Sequence, residues 1–351
     1  MPKQRQAAIF GVLLLIGLLI IVISSVDLGS VWAALTSADY RLLPLVIALV
    51  VASLFTRAVR WAVMLRHGLS LRRSFDISNV GYMFNSLLPL RAGEVARVLL
   101  AARHDPPIPV FTTASTILLE RIIDLLFLFV LLGLTLTALP APDYIGVSGL
   151  TLAVGAIVGF GALLVFAHRR AWALWLLNTL LRWLPFLRKL PLENYLNRFL
   201  DGLSVLTSAR SFALMLFWSL LSWMLTAATG YVLLYAFFGQ ADWAVVLLFI
   251  VTSTLFATAA AAIAYTPGAI GPYQAGIVLA LSLSGFSEPE GAPLAFAVVI
   301  HAVNLGIYII FGMIGLWRES ITPEELFQRI RAFIRSQPQQ PPTSIENSSA
   351  D

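Results

Sequence analysis

The chain has 351 residues, of which 59% are hydrophobic and 12% charged, with a formal charge of +5 and a mean hydropathy of +0.87. Soluble domains carry about 45–50% apolar and about 25% charged residues, so an ordinary water-soluble enzyme is excluded and the bilayer is the indicated solvent. The positive charge carries no nucleic-acid message: every basic residue except Lys3 and Lys189 is arginine, and their placement follows membrane topology. Cysteine is absent, which excludes a disulfide framework and a thiolate nucleophile.

A membrane-spanning helix needs about 20 apolar residues. The first candidate, 7–26, follows Lys3 and Arg5. It is longer than the apolar core of a signal peptide and has no clear small-residue cleavage site, so a retained anchor is expected. Further spans are expected at 42–65, 122–139, 145–167, 212–238, 243–264, 269–286 and 293–317. The fold class is therefore an all-α polytopic integral membrane protein with about eight transmembrane helices. A ninth apolar stretch, 77–100, is interrupted by Asn85, Pro89, Arg91, Gly93, Glu94 and Arg97.

Basic residues mark the cytoplasmic connections. They gather at Lys3 and Arg5, at Arg66, Arg72 and Arg73, along 168–210, and from Arg318 to Arg335. The loops 27–41, 140–144, 239–242 and 287–292 hold only Arg41. This bias predicts a cell-membrane protein with both termini in the cytoplasm. It also requires 77–100 to enter and leave on one face, as a re-entrant hairpin or two broken half-helices. The segment 243–286 is ambiguous in the same way, as two full spans or a second re-entrant loop. Pro89-x-x-x-Gly93 and Pro267-x-x-x-Gly271 share a spacing, a hint of the inverted repeats found in transporters.

Three regions lie outside the expected 1–320 transmembrane domain or off its spans. The 168–210 connection, with Trp172, Trp175 and Trp183, reads either as helices in the headgroup layer or as cytoplasmic linker helices. Residues 321–335 are expected to form an interfacial amphipathic helix, and 336–351, rich in Gln, Pro and Ser, a disordered tail.

Charges inside apolar stretches are the informative ones, since each costs at least about 2.5–3.5 kcal/mol at the bilayer centre. Pro89 removes an N–H and clashes with the carbonyl of Asn85, so the backbone breaks there. Such a break is tolerated only against protein or a watery cavity. A helix restarting after it offers free N–H groups to an anion, and Arg91 and Arg97 can both reach a phosphate. Glu94 can pair with either arginine. The alternative is a structural ion network at the interface. Arg57 and Arg60, beside Trp61, are further candidates for headgroup binding, although snorkelling explains them as well. Glu120, Arg121 and Asp124 open the third expected span as a polar path, Glu120 and Asp124 sharing a helical face. His301, with Asn304 three residues on, is either a packing residue or a proton relay.

Catalytic motifs are lacking: there is no Walker A loop, H-E-x-x-H or G-x-S-x-G, and His67, His104, His168 and His301 have no metal-ligand spacing. No cofactor or metal is expected. Any transport is expected to be passive or coupled to an ion gradient.

Thr56-Arg57-Ala58-Val59-Arg60-Trp61, Asn85-x-x-Leu88-Pro89-x-Arg91-x-Gly93-Glu94-x-x-Arg97, Glu120-Arg121-x-x-Asp124 and Pro267-Gly268-x-Ile270-Gly271 occur in that order. Over about residues 5–320 the chain resembles the transmembrane, flippase-like region of lysylphosphatidylglycerol synthases. The resemblance implies movement of a lipid between leaflets, with Arg91, Glu94, Arg97, Glu120, Arg121 and Asp124 at matching positions. The soluble aminoacyl-transfer domain of the full-length synthases is not expected here. Two positions depart from the family pattern: Gln274 stands where an acid usually follows the Pro-Gly loop, and His301 where the last span often has a basic residue.

The expected function is that of a lipid translocase, not an enzyme, with a phospholipid or polyprenyl-phosphate lipid as partner. The headgroup would be held by Arg91 and Arg97, with Asn85, Arg57 and Arg60 near it and Pro267, Gly268, Gly271 and Gln274 in the second loop. Two alternatives are a non-transporting partner of a cell-envelope lipid or glycan-assembly enzyme, and an integral-membrane enzyme using Glu94 or Asp124 as acid or base.

Overall fold

Backbone polar groups in hydrocarbon must be bonded within their own segment, which favours helices, and no strand occurs among the described residues. The computed structural model describes residues 27–66, 68–88, 91–105, 107–138, 164–183, 192–263 and 269–335, with 154, 155, 157, 158 and 161. The expected 7–26 span, most of the 145–167 span, Pro89, Pro267, Gly268 and the 336–351 tail lie outside the described residues.

Helix α1, Leu28–Ser37, starts at Asp27, whose carboxylate accepts from the N–H groups of Gly29 and Ser30. A 3-10 turn, Tyr40–Leu42, leads into α2, Leu43–Met64, with Pro44 in its first turn, where a missing N–H costs nothing. The interrupted stretch is two helices, α3 (Leu71–Leu87, capped by Ser70) and α4 (Ala92–Ala101). Next come α5 (Val110–Ala138), α6 (Arg170–Trp183), α7 (Leu192–Gly202) and α8 (Ala209–Phe238). The chain continues through α9 (Trp243–Ile263), α10 (Pro272–Leu283), α11 (Ala292–Arg318) and α12 (Pro323–Arg335).

By length and composition, Tyr40–Met64, Ala209–Phe238 and Ala292–Arg318 can each cross a membrane. These are three of the eight expected spans. α10 has 12 residues and is therefore about 18 Å long, well short of the about 30 Å hydrocarbon core. Helix α5 starts 12 residues before the expected 122–139 span. Glu120, Arg121 and Asp124 thus sit within the helix instead of opening it. Charge disfavours helix in lipid, but these side chains find partners inside the protein, so the helix runs through them.

The α3–α4 hairpin is held by close backbone approach. A Cβ on Gly93 would overlap the Gly81 carbonyl, and one on Gly81 would lie 2.7 Å from Cγ and Cδ of Arg97. At the base of this hairpin, Arg73 pairs with Glu319 through two bonds of 2.8 and 2.7 Å, and Arg318 donates to Asp76 at 2.9 Å. Helix α12 buries Leu326 and Ile330 in the same cluster as Ala96 and Leu100 of α4, so its apolar stripe is covered by protein.

The packing is reciprocal between two sets of helices, α2–α5 and α8–α11. α2 lies on α8, α3 on α11 and α9 on α5; α3 lies on α4 as α9 lies on α10; α4 lies on α5 as α10 lies on α11. Exchanging the two sets reproduces these contacts. Ser53 meets Thr226, Arg57 meets Ser222 and Arg60 meets Ser219, so α2 and α8 run antiparallel. An exchange that reverses helix direction is the mark of an inverted repeat.

Candidate functional site

Seven charged side chains form an alternating chain across α2, α4 and α5. Arg97 meets Glu120 at 2.8 Å, Glu120 meets Arg60 at 3.0 Å, and Arg60 meets Asp124 at 2.7 Å. The chain goes on from Asp124 to Arg121 at 3.8 Å, from Arg121 to Glu94 at 3.0 Å, and from Glu94 to Arg91 at 3.8 Å. Its inner end is sealed, with Arg97 1% and Glu120 2% exposed by side chain, while Arg91 at the outer end is 44% exposed. The Arg97 guanidinium also stacks on the Trp61 ring at 4.2 Å, and Trp61 Nε1 donates to Thr116 Oγ1 at 3.2 Å.

The outer end opens into a cavity of about 340 Å³, within the usual range for small-molecule sites. Arg57, Arg91, Arg121 and Asp124 supply its charge. Thr226 and Thr229 of α8, Ser253 and Thr254 of α9, and Asn304 and Tyr308 of α11 supply neutral polar groups, and Val50, Leu54, Leu125 and Leu128 an apolar wall. Among the described residues Arg57 has no carboxylate at ion-pair distance. Its Nε donates to Ser222 Oγ at 3.1 Å and its Nη2 to Thr226 Oγ1 at 3.4 Å.

The structure sorts the expected site residues into two groups. Arg57, Arg91, Arg121 and Asp124 face one cavity. Arg97 does not line it, and neither does Arg60, which is 1% exposed and held between Glu120 and Asp124. Glu94 pairs with Arg121 and Arg91, not with Arg97. Asn85 accepts the Gly93 N–H at 2.9 Å and so satisfies a free donor in the first turn of α4. The spacing of Arg91 and Arg97 already separates them: six residues place two side chains about 120° apart on a helix. The α8 hydroxyls escaped the sequence reading, although Ser219, Ser222, Thr226 and Thr229 form a polar stripe at helical spacing in an apolar helix.

The second half of the repeat carries a neutral counterpart of this site. Arg91 is the N-cap of α4 with φ 51°, and Gly271 is the N-cap of α10 with φ 95°. Glu94 and Gln274 each stand three residues after their cap. Glu94 reaches Arg121 over a separation of 27 residues, and Gln274 reaches His301 over the same separation, at 3.1 Å. Three residues beyond each partner lie Asp124 and Asn304, both on the cavity wall. At one constant offset, Arg91, Glu94, Arg121 and Asp124 therefore correspond to Gly271, Gln274, His301 and Asn304. The shared Pro-x-x-x-Gly spacing is two residues out of this register. Gln274 Oε1 accepts from the Gly271 N–H at 2.8 Å, so its amide nitrogen donates to His301 Nδ1 and the neutral ring carries its proton on Nε2.

Among the described residues no cluster of three or more His, Asp or Glu is arranged to hold a metal ion. Comparison with curated proteins and with solved structures gives no match. The family model of the lysylphosphatidylglycerol synthase TM region matches residues 8–312. With its apolar helices and its charged interior, this is a membrane protein of lipid metabolism or transport, and the chain belongs to the lysylphosphatidylglycerol synthase TM region family.

Proposed function

We propose that the protein moves a phosphate-bearing lipid between leaflets, taking the headgroup into the cavity while the acyl chains stay in the bilayer. The observation that carries this reading is Arg57, a guanidinium on the cavity wall whose hydrogen-bond partners among the described residues are hydroxyls. A cation in such surroundings is costly unless it is paired or serves a ligand, and a phosphate oxygen is a strong charge-assisted partner for a guanidinium. The lining carries three arginines against one aspartate, so the cavity favours an anion.

Depth supports the same reading. Asn304 lies 12 residues into α11, or about 18 Å along it, near the middle of an about 30 Å hydrocarbon core. A headgroup binding there is part-way across. Arg91 holds a left-handed backbone at φ 51° at the open end of the ion chain; strain of this kind gathers where a ligand is clamped.

The test is leaflet exchange. Purified protein is reconstituted in phosphatidylcholine vesicles with acyl-labelled phosphatidylglycerol, and dithionite bleaching reports the outer leaflet. Exchange above protein-free vesicles, lost in Arg57→Gln, is the expected result. Exchange equal to that of empty vesicles overturns the proposal.

A further inference from the structure

We infer that a second pocket, between α4 and α12, holds one anionic phospholipid of the surrounding bilayer. Its phosphate lies between Arg103 and Arg329, and an acyl chain lies against Leu99, Leu100, Leu326 and Phe333. The inference is independent of what the central cavity carries.

The level of the pocket points to the bilayer as its source of ligand. Helix α11 has 27 residues and is about 40 Å long, so its ends overshoot the about 30 Å hydrocarbon core. Trp317, in its last turn, is 78% exposed, as in the aromatic belts that mark the membrane boundary. Just beyond it the Ile321 N–H returns to the Leu316 carbonyl at 3.2 Å, and the chain turns into α12. Ile321 is part of the pocket wall, so the pocket stands at the height of the lipid headgroups.

Its lining suits an amphiphile. The volume is about 350 Å³, with Leu99, Leu100, Leu326 and Phe333 as an apolar floor and Arg103 and Arg329 as the charged groups. Leu100 and Leu326 are fully buried where α12 lies on α4, so an acyl chain extends a floor that is already packed. Among the described residues Arg103 has no carboxylate at ion-pair distance. Arg329 donates to Glu325 Oε1 from Nε at 3.2 Å and from Nη2 at 2.9 Å, and its Nη1 remains for a further acceptor. That pair is exposed, 52% and 45% by side chain, and exposed pairs of this kind are weak. Two guanidiniums against one carboxylate give a net positive rim that favours a phosphate, while a free phosphate would leave the leucines uncovered. Helix α4 has 10 residues, which puts Arg91 about 15 Å away at the other end of the same helix. A lipid in the pocket therefore braces the helix that carries Arg91, Glu94 and Arg97.

The experiment uses the full chain in phosphatidylcholine vesicles that contain a little phosphatidic acid, or a little phosphatidylcholine, with a diazirine on one acyl chain. After irradiation the labelled peptides are mapped by mass spectrometry. Labelling of 99–103 and 321–333 is divided by that of α8, whose exposed Phe217, Leu220 and Met224 report ordinary lipid contact. The ratio is expected to be at least about fivefold higher for phosphatidic acid, and to fall to the phosphatidylcholine value when Arg103→Gln and Arg329→Gln are combined. Both arginines are exposed, so the double variant should fold, and its unfolding midpoint in detergent checks this. Equal ratios for the two lipids in the wild type overturn the inference without recourse to any variant, as does a phosphatidic acid ratio that survives the double substitution. Neither outcome depends on leaflet exchange, so the pocket and the translocase reading are tested apart.

Discussion

Arg60 grips Asp124 through two hydrogen bonds, of 2.7 and 3.3 Å, and at the same time stands 3.0 Å from Glu120. One arginine thereby joins two carboxylates a helical turn apart on α5. The pairing anchors α5 to α2 and leaves Arg121 directed at the cavity and at Glu94. The inner part of the ion chain is a buried scaffold, and its outer part faces the cavity.

Breaking the scaffold should be expensive. Glu120→Ala leaves Arg60 and Arg97 facing each other in a sealed site, and removal of one partner from a buried pair costs about 3–5 kcal/mol. Thermal unfolding in detergent measures the loss. Arg329→Ala, which removes a pair whose side chains are 52% and 45% exposed, should cost no more than about 1 kcal/mol. A reversed order of the two variants refutes this assignment.

Arg57 should show the opposite behaviour. Its replacement by Gln strands no carboxylate among the described residues and forfeits hydrogen bonds worth about 1 kcal/mol. The unfolding midpoint should barely move. Lipid exchange should fall about tenfold or more, the effect of losing one charge-assisted bond of at least about 1.4 kcal/mol. Equal losses in both measurements would make Arg57 a packing residue.

Gly93 should tolerate nothing larger. A Cβ there overlaps the Gly81 carbonyl and lies 2.8 Å from Asn85 Oδ1, so Gly93→Ala must spread the hairpin. Forced overpacking of this kind costs about 1–3 kcal/mol. The same substitution at Gly306, where a Cβ meets nothing within 4 Å, serves as the control and should leave the unfolding midpoint unchanged or raised.

Gln274 joins Gly271 to His301, so Gln274→Leu removes two hydrogen bonds and leaves half-buried groups unpaired, at about 1 kcal/mol or more. Gln274→Glu keeps an acceptor for the Gly271 N–H and should recover most of that loss. If the Leu variant unfolds like the wild type, the neutral half-site is not holding α10 to α11.

The sequence makes the broken segment and the out-of-place charges legible, because lipid tolerates neither without a reason. It does not show which arginine faces which way. Arg57 and Arg60 are three residues apart on one helix, yet one lines the cavity and the other is sealed between two acids. That division depends on where α5 and α8 lie relative to α2, which periodicity in α2 alone cannot encode. The start of α5 was hidden for a related reason: Glu120 and Arg121 look like a helix end until Arg97 and Glu94 are brought to meet them. The repeat left only a short trace, since its two halves share a positive-φ cap and a spacing, while charge stands in one half and not in the other.

The position of Glu120, Arg121 and Asp124 within α5 bears on how the chain is made. Each charge adds about 2.5–3.5 kcal/mol to the cost of passing a helix from the insertion machinery into lipid, so α5 is a poor membrane segment by itself. Its ion partners on other helices among the described residues, Arg60, Glu94 and Arg97, precede it in the chain and have been synthesised before α5 emerges. Insertion of α5 is therefore a templated event that waits on α2 and α4, whereas α11, apolar enough to cross by itself, carries the same half-site in a form that needs no such escort.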